Sequence, residues 1–456
     1  MSVQRIGVVG AGSMGAGIAQ ISCLGGFETF LHDPLPEALT GGAERLRAAL
    51  AKGAGRGRWS EADAGAAEER LRVCAELEDL AGCELVIEAA PEDLELKRDL
   101  FRRLAEICPP RAVLATNTSS LSVTAIAADV PEPGRVVGMH FFNPPALMEL
   151  VEVVAGDESG EDALAATEDC ARRMGRTPVR ATDQIGFVAN RCARPYSLEG
   201  LRLLGSGVAD HETIDRICRL GGGFRMGPFE LTDLVGVDVN FEVAKSFWEQ
   251  SFHEPRWQPH PIQARMAAAG RHGRKAGRGY YDYGSGEHRP ADPEPPAPVP
   301  GDPPGALLVA LEEGSLAAHA PGRDAVGFVA LPDLDSARLV ELTRGPETTE
   351  ANSTAAEAHF RALGKHVEWV GDAPGLVLGR IVAQLVNEAH FAVDAGVASP
   401  ADVDTALRLG FNYPRGPFEW LGAIGAARVV AILDALHSEL GEERYRVSPG
   451  LRRAAA

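Results

Sequence analysis

Ile6-Gly7-Val8-Val9 is a short apolar run that ends in Gly10-x-Gly12-x-x-Gly15, after which Met14, Ile18 and Ile21 recur at helical spacing among Ala16, Gly17 and Ala19. A strand, a glycine turn and a helix in this order constrain the N-terminal region more than any other feature of the chain. Gly10 permits a tight turn, Gly12 lets the backbone approach a pyrophosphate, and Gly15 lets helix and strand pack closely. The helix start, at Ser13 and Met14, offers N–H groups to phosphates. A second strand, Glu28 to Leu31, ends at His32-Asp33. Asp33 stands where a carboxylate accepts hydrogen bonds from the adenosine ribose and repels a 2′-phosphate, which favours NAD over NADP. Its alternative role is a cap before Pro34.

Further strands are expected at Leu85-Val86-Ile87-Glu88, Ala112 to Thr116, Val136 to Met139 and Leu150 to Val154, with residues 37–80 read as long helices and a charged helix over 91–108. Strands alternating with helices predict a doubly wound sheet. From Asp183 to about Tyr283 the pattern turns helical. Ala291 to Gly305 is Pro-rich, so an extended, semi-rigid linker is expected there.

Beyond the linker the chain repeats itself at a constant offset of 189. Gly138 matches Gly327, Glu152 matches Glu341, Asp183 matches Asp372 and Arg191 matches Arg380. Gly227-Pro228-Phe229-Glu230 matches Gly416-Pro417-Phe418-Glu419. Chance does not hold one register over such a span, so the second half is a tandem copy. His140 is replaced there by Val329 and Asn190 by Gly379, and no glycine turn precedes it. The expected organisation is a Rossmann-type α/β domain over 1–182, a helical domain over 183–284, a linker over 285–305, a degenerate partial α/β segment over 306–371, and a second helical domain over 372–456.

Composition narrows the function. A length of 456 residues implies several domains, and 45% apolar residues suffice to bury their cores. A formal net charge of −19 argues against nucleic acid, whose binding rests on cationic neutralisation of phosphate. Neither a signal peptide nor an apolar stretch of about 18 residues is present, so no membrane span is expected. The seven cysteines form no C-x-x-C pair and read as reduced thiols of a cytoplasmic protein. No metal site is expected.

Four polar residues carry the chemistry. His140 follows a strand and precedes Phe141-Phe142-Asn143-Pro144; Glu152 lies on the next strand; Ser119 sits in a loop at a strand end; Asn190 starts the helical part. Oxidising a secondary alcohol needs a base for the hydroxyl proton, and histidine titrates near neutrality. Glu152 could fix the second ring nitrogen, while Ser119 and Asn190 could hold substrate oxygens. Each residue alone has a structural alternative: a satisfied core histidine, a helix cap at Asn117 to Ser120, a buried partner at Glu152. The retention of Glu341 where histidine is lost points to a partly structural role for that carboxylate.

Taken together, VGAGSMGAGIAQ (9–20), VIEAAPEDLELK (86–97), ATNTSSL (115–121), GMHFFNPP (138–145), LVEVV (150–154), DQIGFVANR (183–191) and LGGGFRMGPFELTDLVG (220–236) resemble the L-3-hydroxyacyl-CoA dehydrogenase family. The resemblance implies an acyl-CoA substrate, NAD as cofactor, His140 as general base with Glu152, and Ser119 and Asn190 as substrate ligands. It also implies NAD contacts from Glu92, Lys97, Asn117, Ser119 and Asn143, and a CoA contact from Lys52. The duplication looks like that of longer bacterial members acting on 3-hydroxybutyryl-CoA or 3-hydroxyadipyl-CoA. With no hydratase-like region before residue 1, the multifunctional β-oxidation polypeptide is not expected. Single-copy members dimerise through the helical domain, so an internal pseudo-dimer is expected, with a homodimer also open. The rival readings are a 6-phosphogluconate or β-hydroxyacid type enzyme, a sugar-acid dehydrogenase of the L-gulonate 3-dehydrogenase kind, and a non-catalytic NAD-binding protein such as a lens crystallin.

Overall fold

A computed structural model describes residues 3–284, 286–299 and 305–456; Ser285 and residues 300–304 of the expected linker lie outside the described residues. The chain divides into two compact units, Met1–Ala189 with Gly396–Gly410, and Asn190–Ala395 with Phe411–Ala456.

The first unit is built on β1 (Arg5–Val9), α1 (Ser13–Leu24), β2 (Glu28–His32), α2 (Pro36–Ala54), α3 (Glu61–Glu69), β3 (Leu71–Cys74), β4 (Leu85–Glu88), α4 (Leu94–Ile107), β5 (Val113–Thr116), α5 (Val123–Ala127), β6 (Val136–Phe141), β7 (Leu150–Ala155), α6 (Glu161–Arg173) and β8 (Thr177–Thr182). Its eight strands run in the order β3-β2-β1-β4-β5-β6-β7-β8. All neighbours are parallel except β6 and β7. Strands β4, β5 and β6 are buried throughout, as expected of a sheet covered on both faces. Leu39, Ala43, Leu46 and Leu50 give α2 an apolar stripe that joins the core over β1 and β2. The order reverses between β1 and β4, which opens a crevice at the carboxyl ends of those strands.

Two strands were not legible in the sequence. The stretch read as long helices over 37–80 contains β3, and β8 follows α6 ahead of the helical region. Both are edge strands that carry exposed polar residues of their own, Arg72 and Thr177. Pairing with β2 and β7 gives them their structure, and a local pattern does not announce it.

The second unit holds α7 (Ala189–Gly205), α8 (His211–Leu220), α9 (Pro228–Val235), α10 (Val237–Gln250), α11 (Pro261–Ala268), β9 (Leu308–Ala310), α12 (Leu316–His319), β10 (Val326–Ala330), β11 (Leu339–Arg344), α13 (Glu350–Ala362), β12 (His366–Val370) and α14 (Leu378–Asp394). After α15 (Pro400–Phe411), most of which clusters with the first unit, it continues with α16 (Pro417–Ile424), α17 (Ala426–Leu440) and α18 (Pro449–Ala454). Its four strands run β12-β11-β10-β9, with only β10 and β11 antiparallel. This repeats β8-β7-β6-β5, down to the register: Val329 faces Glu341 as His140 faces Glu152. Among the described residues this second sheet has no counterpart of β1 to β4, so the turn that would cradle a dinucleotide is missing from it.

Helices α7 and α14 are equivalent elements joined by reciprocal buried ion pairs. Arg191 meets Glu388 at 2.9 Å and Arg380 meets Glu199 at 2.8 Å. The 189-residue offset converts each pair into the other. Phe224 and Tyr413, also equivalents, meet ring to ring at 5.0 Å. The described part of the linker runs along this unit, with Asp292 on Arg219 at 2.8 Å and Arg289 on Glu230 at 2.8 Å. No single helix among the described residues is long and apolar enough to cross a membrane. All seven cysteines are buried free thiols.

Candidate active site

The glycine turn takes the form a dinucleotide needs. Gly10 has φ +98°, its N–H donates to the His32 carbonyl at 2.8 Å, and a Cβ there would fall 2.5 Å from the Ala89 oxygen. A Cβ on Gly15 would lie 1.7 Å from the Gly10 oxygen, whereas one on Gly12 would meet nothing within 4 Å. Two glycines are therefore demanded by the protein's own backbone, and the third faces open space at the start of α1, beside exposed Ser13 and half-buried Met14. That open space over free helix N–H groups fits a pyrophosphate. Asp33 accepts from Ala11 N–H at 2.8 Å and Leu35 N–H at 2.9 Å, one on each oxygen. It thus holds the backbone turn at Leu35 that leads into α2 as well as bracing the glycine turn, and each oxygen keeps a second lone pair for a ribose hydroxyl.

At the carboxyl ends of β4 and β5 a buried network shapes the next wall. Lys97, fully buried, meets Glu88 at 2.5 Å and Glu92 at 3.4 Å. Thr116 donates to the other Glu88 oxygen at 2.7 Å. Glu92 accepts from the hydroxyls of Thr118 at 2.5 Å and Ser120 at 2.9 Å, and from the N–H groups of Ser119 and Ser120 at 3.1 Å each. Burial works to raise the Glu92 carboxyl, but the Thr118 bond and the Lys97 charge outweigh it and hold the group below the usual carboxylate range. Glu92 therefore fixes the loop that presents the exposed Ser119. Asn117 accepts from Phe141 N–H at 2.8 Å, tying β5 to the end of β6; Asn143 is exposed just beyond. Glu88 escaped the sequence reading, although a carboxylate ending the apolar run Leu85-Val86-Ile87 was its signal.

The antiparallel register of β6 and β7 places His140 directly opposite Glu152. Nδ1 of His140 lies 2.6 Å from Glu152 Oε2. With a carboxylate as acceptor the proton sits on Nδ1, which leaves Nε2 as a base. Phe142 and Phe187 flank the ring at centroid distances of 4.8 and 5.8 Å. The other Glu152 oxygen accepts from Val188 N–H at 3.0 Å and Ala189 N–H at 2.8 Å, at the start of α7. One carboxylate thus orients the base and anchors the helix whose next residue is Asn190. Helix α15 of the second copy borders this site: a Cβ on Gly410 would lie 2.8 Å from Leu150 and 3.6 Å from Ala189 and Phe142.

Glu341 separates the two roles. It accepts from Val377 N–H at 2.8 Å and Leu378 N–H at 3.1 Å, the equivalents of the Glu152 bonds, with Val329 in place of the histidine. Helix anchoring is therefore shared by both copies, and the histidine contact belongs to the first. Burial pushes the Glu341 carboxyl up to about 8. The folded state then binds a proton that the unfolded chain releases near 4.5, so stability falls as pH rises from about 4.5 through about 8. Glu341→Gln is expected to flatten that fall. Urea unfolding at pH 5 and pH 8 checks it; an equal loss in wild type and variant would remove Glu341 as its source.

Beside α1, Ser13, Arg45, Lys52, Arg56, Arg58 and Trp59 line a cavity of about 290 Å³ bounded by Pro144 and Pro145. Four cations here stand out in a chain of net charge −19. Lys52 was expected; Arg56 and Arg58 were not, because only the turn after α2 brings them to the same wall.

A dinucleotide crevice and a carboxylate-held histidine at the end of the same sheet define an NAD-dependent oxidoreductase of the CH–OH class. The 3-hydroxyacyl-CoA dehydrogenase NAD binding domain matches residues 5–184, and the C-terminal domain of the same family matches residues 186–283 and again 375–456. The chain belongs to the 3-hydroxyacyl-CoA dehydrogenase family. It is 38% identical to the 3-hydroxyadipyl-CoA dehydrogenase of Escherichia coli K12, over 100% of this chain and 98% of that one. It is 38% identical to a probable 3-hydroxybutyryl-CoA dehydrogenase of Bacillus subtilis, over 62% of this chain and 98% of that one. The crystal structure of an E. coli 3-hydroxybutyryl-CoA dehydrogenase superposes with a TM-score of 0.94 at 37% identity, covering 100% of this chain and 98% of that one.

Proposed function

We propose that the chain oxidises the C3 carbinol of an (S)-3-hydroxyacyl-CoA to the 3-ketone, with His140 as general base. The observation that carries this reading is the 2.6 Å contact between His140 and Glu152, made at their strand register with Nε2 left to the substrate. NAD, when bound, supplies the acceptor for the C3 hydride. His140 Nε2 takes the hydroxyl proton, and Glu152 stabilises the imidazolium that results. Ser119 and Asn190 hydrogen-bond the substrate oxygens. Glu92 and Lys97 hold the Ser119 loop at the nicotinamide end, with Asn117 and Asn143 along the same rim. Gly10, Gly12, Ser13, Met14, Gly15 and Asp33 take the adenosine and diphosphate end. Lys52, with Arg56 and Arg58, holds the phosphates of CoA.

The domain organisation in this reading is 1–182, 183–284, 285–305, 306–371 and 372–456, in keeping with the separate family matches. The two helical domains form an internal pseudo-dimer. The reciprocal Arg191–Glu388 and Arg380–Glu199 pairs support it, since a two-fold relation exchanges equivalent residues in this way. A homodimer would add a further interface. A cytoplasmic location accords with seven cysteines kept as buried thiols.

The test is NADH oxidation with acetoacetyl-CoA and longer 3-ketoacyl-CoA thioesters, beside NAD reduction with L-gulonate. Turnover of the thioesters is expected. Turnover of L-gulonate alone would reassign the chain to the sugar-acid dehydrogenases, and turnover of nothing would leave a retired NAD-binding protein.

A further inference from the structure

Arg194 has no part in the chemistry derived so far. It stands on α7 four residues after Asn190, so the two side chains share one face of the helix a single turn apart. It is buried, with 7% of its surface exposed. The other buried arginines all have acceptors. Arg191, Arg202, Arg219 and Arg380 are ion-paired, and Arg135 donates to the carbonyls of Ala105 and Pro109. Among the described residues Arg194 makes neither an ion pair nor a side-chain hydrogen bond, and its Nε is buried without a partner. Its surroundings are aromatic: the guanidinium lies 5.0 Å from the Phe247 ring centroid. Tyr413, a neutral phenol close enough to interact electrostatically with the guanidinium, also has a buried hydroxyl without a partner. Burial pushes the guanidinium down to about 10, which leaves it cationic at neutral pH. A buried cation without a counter-charge is strongly unfavourable, and an aromatic face offsets only part of that cost.

The duplication supplies a second observation. The non-catalytic copy has Val329 for His140, Gly379 for Asn190 and Ala383 for Arg194. It keeps Arg380 for Arg191 and Glu388 for Glu199, the residues that fasten α7 to α14. Arg194 is therefore missing from the same copy that lacks His140 and Asn190, although the reciprocal pairs that fasten α7 to α14 persist in both copies; the ion-paired Arg202, replaced by Phe391, is missing from it as well.

We infer that Arg194, with the Tyr413 hydroxyl, binds a carboxylate at the far end of the acyl tail and so selects 3-hydroxyacyl-CoA thioesters of dicarboxylic acids. The inference rests on the proposed reading in one respect, that Asn190 is a substrate ligand. In a six-carbon diacid only two methylenes separate C3 from the terminal carboxyl carbon. That spacing suits two side chains about 5–6 Å apart at their Cβ atoms. The guanidinium fork can donate to both carboxylate oxygens, and the phenol can donate to one of them. A neutral tail would leave both donors buried and unpaired, which is the strongest form of discrimination that a pocket has. Tyr413 occupies the position that Phe224 holds in the first copy, so the second copy contributes a polar group of its own.

The experiment compares kcat/KM for 3-oxoadipyl-CoA and 3-oxohexanoyl-CoA, which are matched in length and differ in terminal charge. Wild type is expected to favour the diacid by roughly 100-fold or more, and Arg194→Met to collapse that ratio by a similar factor. Arg194→Lys restores part of it, and Tyr413→Phe lowers it about 5-fold. An unchanged ratio in Arg194→Met would overturn the inference. Should that variant fail to fold, competitive inhibition of wild type by adipyl-CoA and hexanoyl-CoA decides: at least about 10-fold tighter adipyl-CoA supports the site, and equal constants overturn it. Turnover of neither thioester by wild type would instead overturn the reaction beneath it.

Discussion

His140→Ala is expected to lower kcat by about 10²–10⁴-fold while NADH still binds with near wild-type affinity. The size follows from the role. No other imidazole faces Glu152 across β6 and β7, and the variant leaves the hydroxyl proton to water. Cofactor affinity should survive because the glycine turn, Asp33 and the Glu92 loop lie on β1, β2, β4 and β5, whose hydrogen bonds do not pass through His140. Glu152 keeps its bonds to Val188 and Ala189, so the entry to α7 should hold as well. Single-turnover NADH oxidation beside NADH fluorescence titration separates the two quantities. A kcat within 10-fold of wild type would end the general-base assignment, and a parallel loss of NADH affinity would mark the histidine as structural.

Glu388→Ala is expected to destabilise the second unit by about 3–5 kcal/mol. Glu388 is buried and accepts from the buried Arg191 at 2.9 Å and from the mostly covered Arg256 at 2.6 Å. Its removal strands the Arg191 guanidinium in a medium that cannot solvate it and leaves Arg256 with Glu254 alone, so the cost exceeds the net worth of the pair. Urea denaturation monitored through the tryptophans, several of which lie in this unit, reads the change as a lower midpoint. A loss under about 1 kcal/mol would place the pair among solvent-screened surface bridges. It would also remove the strongest support for α7 and α14 as the locked halves of an internal dimer. The equivalent change Glu199→Ala, which removes the carboxylate from Arg380 and Arg202, should behave alike, because the 189-residue offset carries the Arg191–Glu388 pair into Arg380–Glu199 and Arg202 supplies a second buried cation there.

Both expectations draw on features that differ in how far the sequence revealed them. The glycine turn was legible because its glycines are demanded locally: the φ of Gly10 and the approach of Gly15 to the Gly10 oxygen arise within a few residues. The central strands were legible because burial on both faces makes them apolar throughout. The edge strands β3 and β7's neighbour β8 were not, because pairing with a partner strand, rather than any pattern of their own, gives them their structure. His140 and Glu152 could be singled out by type and order, since only certain side chains move protons near neutral pH.

By itself the sequence determined the doubly wound sheet, the tandem copy at an offset of 189, the NAD-binding turn and the identity of the candidate base. These depend on local backbone demands, on hydrophobic period and on chemical type, all of which are written residue by residue. Only the tertiary structure decided that Glu152 both orients His140 and anchors α7, that Glu92 is spent on the Ser119 loop, and that Arg56 and Arg58 join Lys52. It alone showed that Arg191 and Arg380 exchange partners, and that Arg194 is buried without one. The physical reason is common to all five. Whether a charged group is satisfied depends on which distant atoms burial brings within hydrogen-bond reach, and no spacing along the chain specifies that.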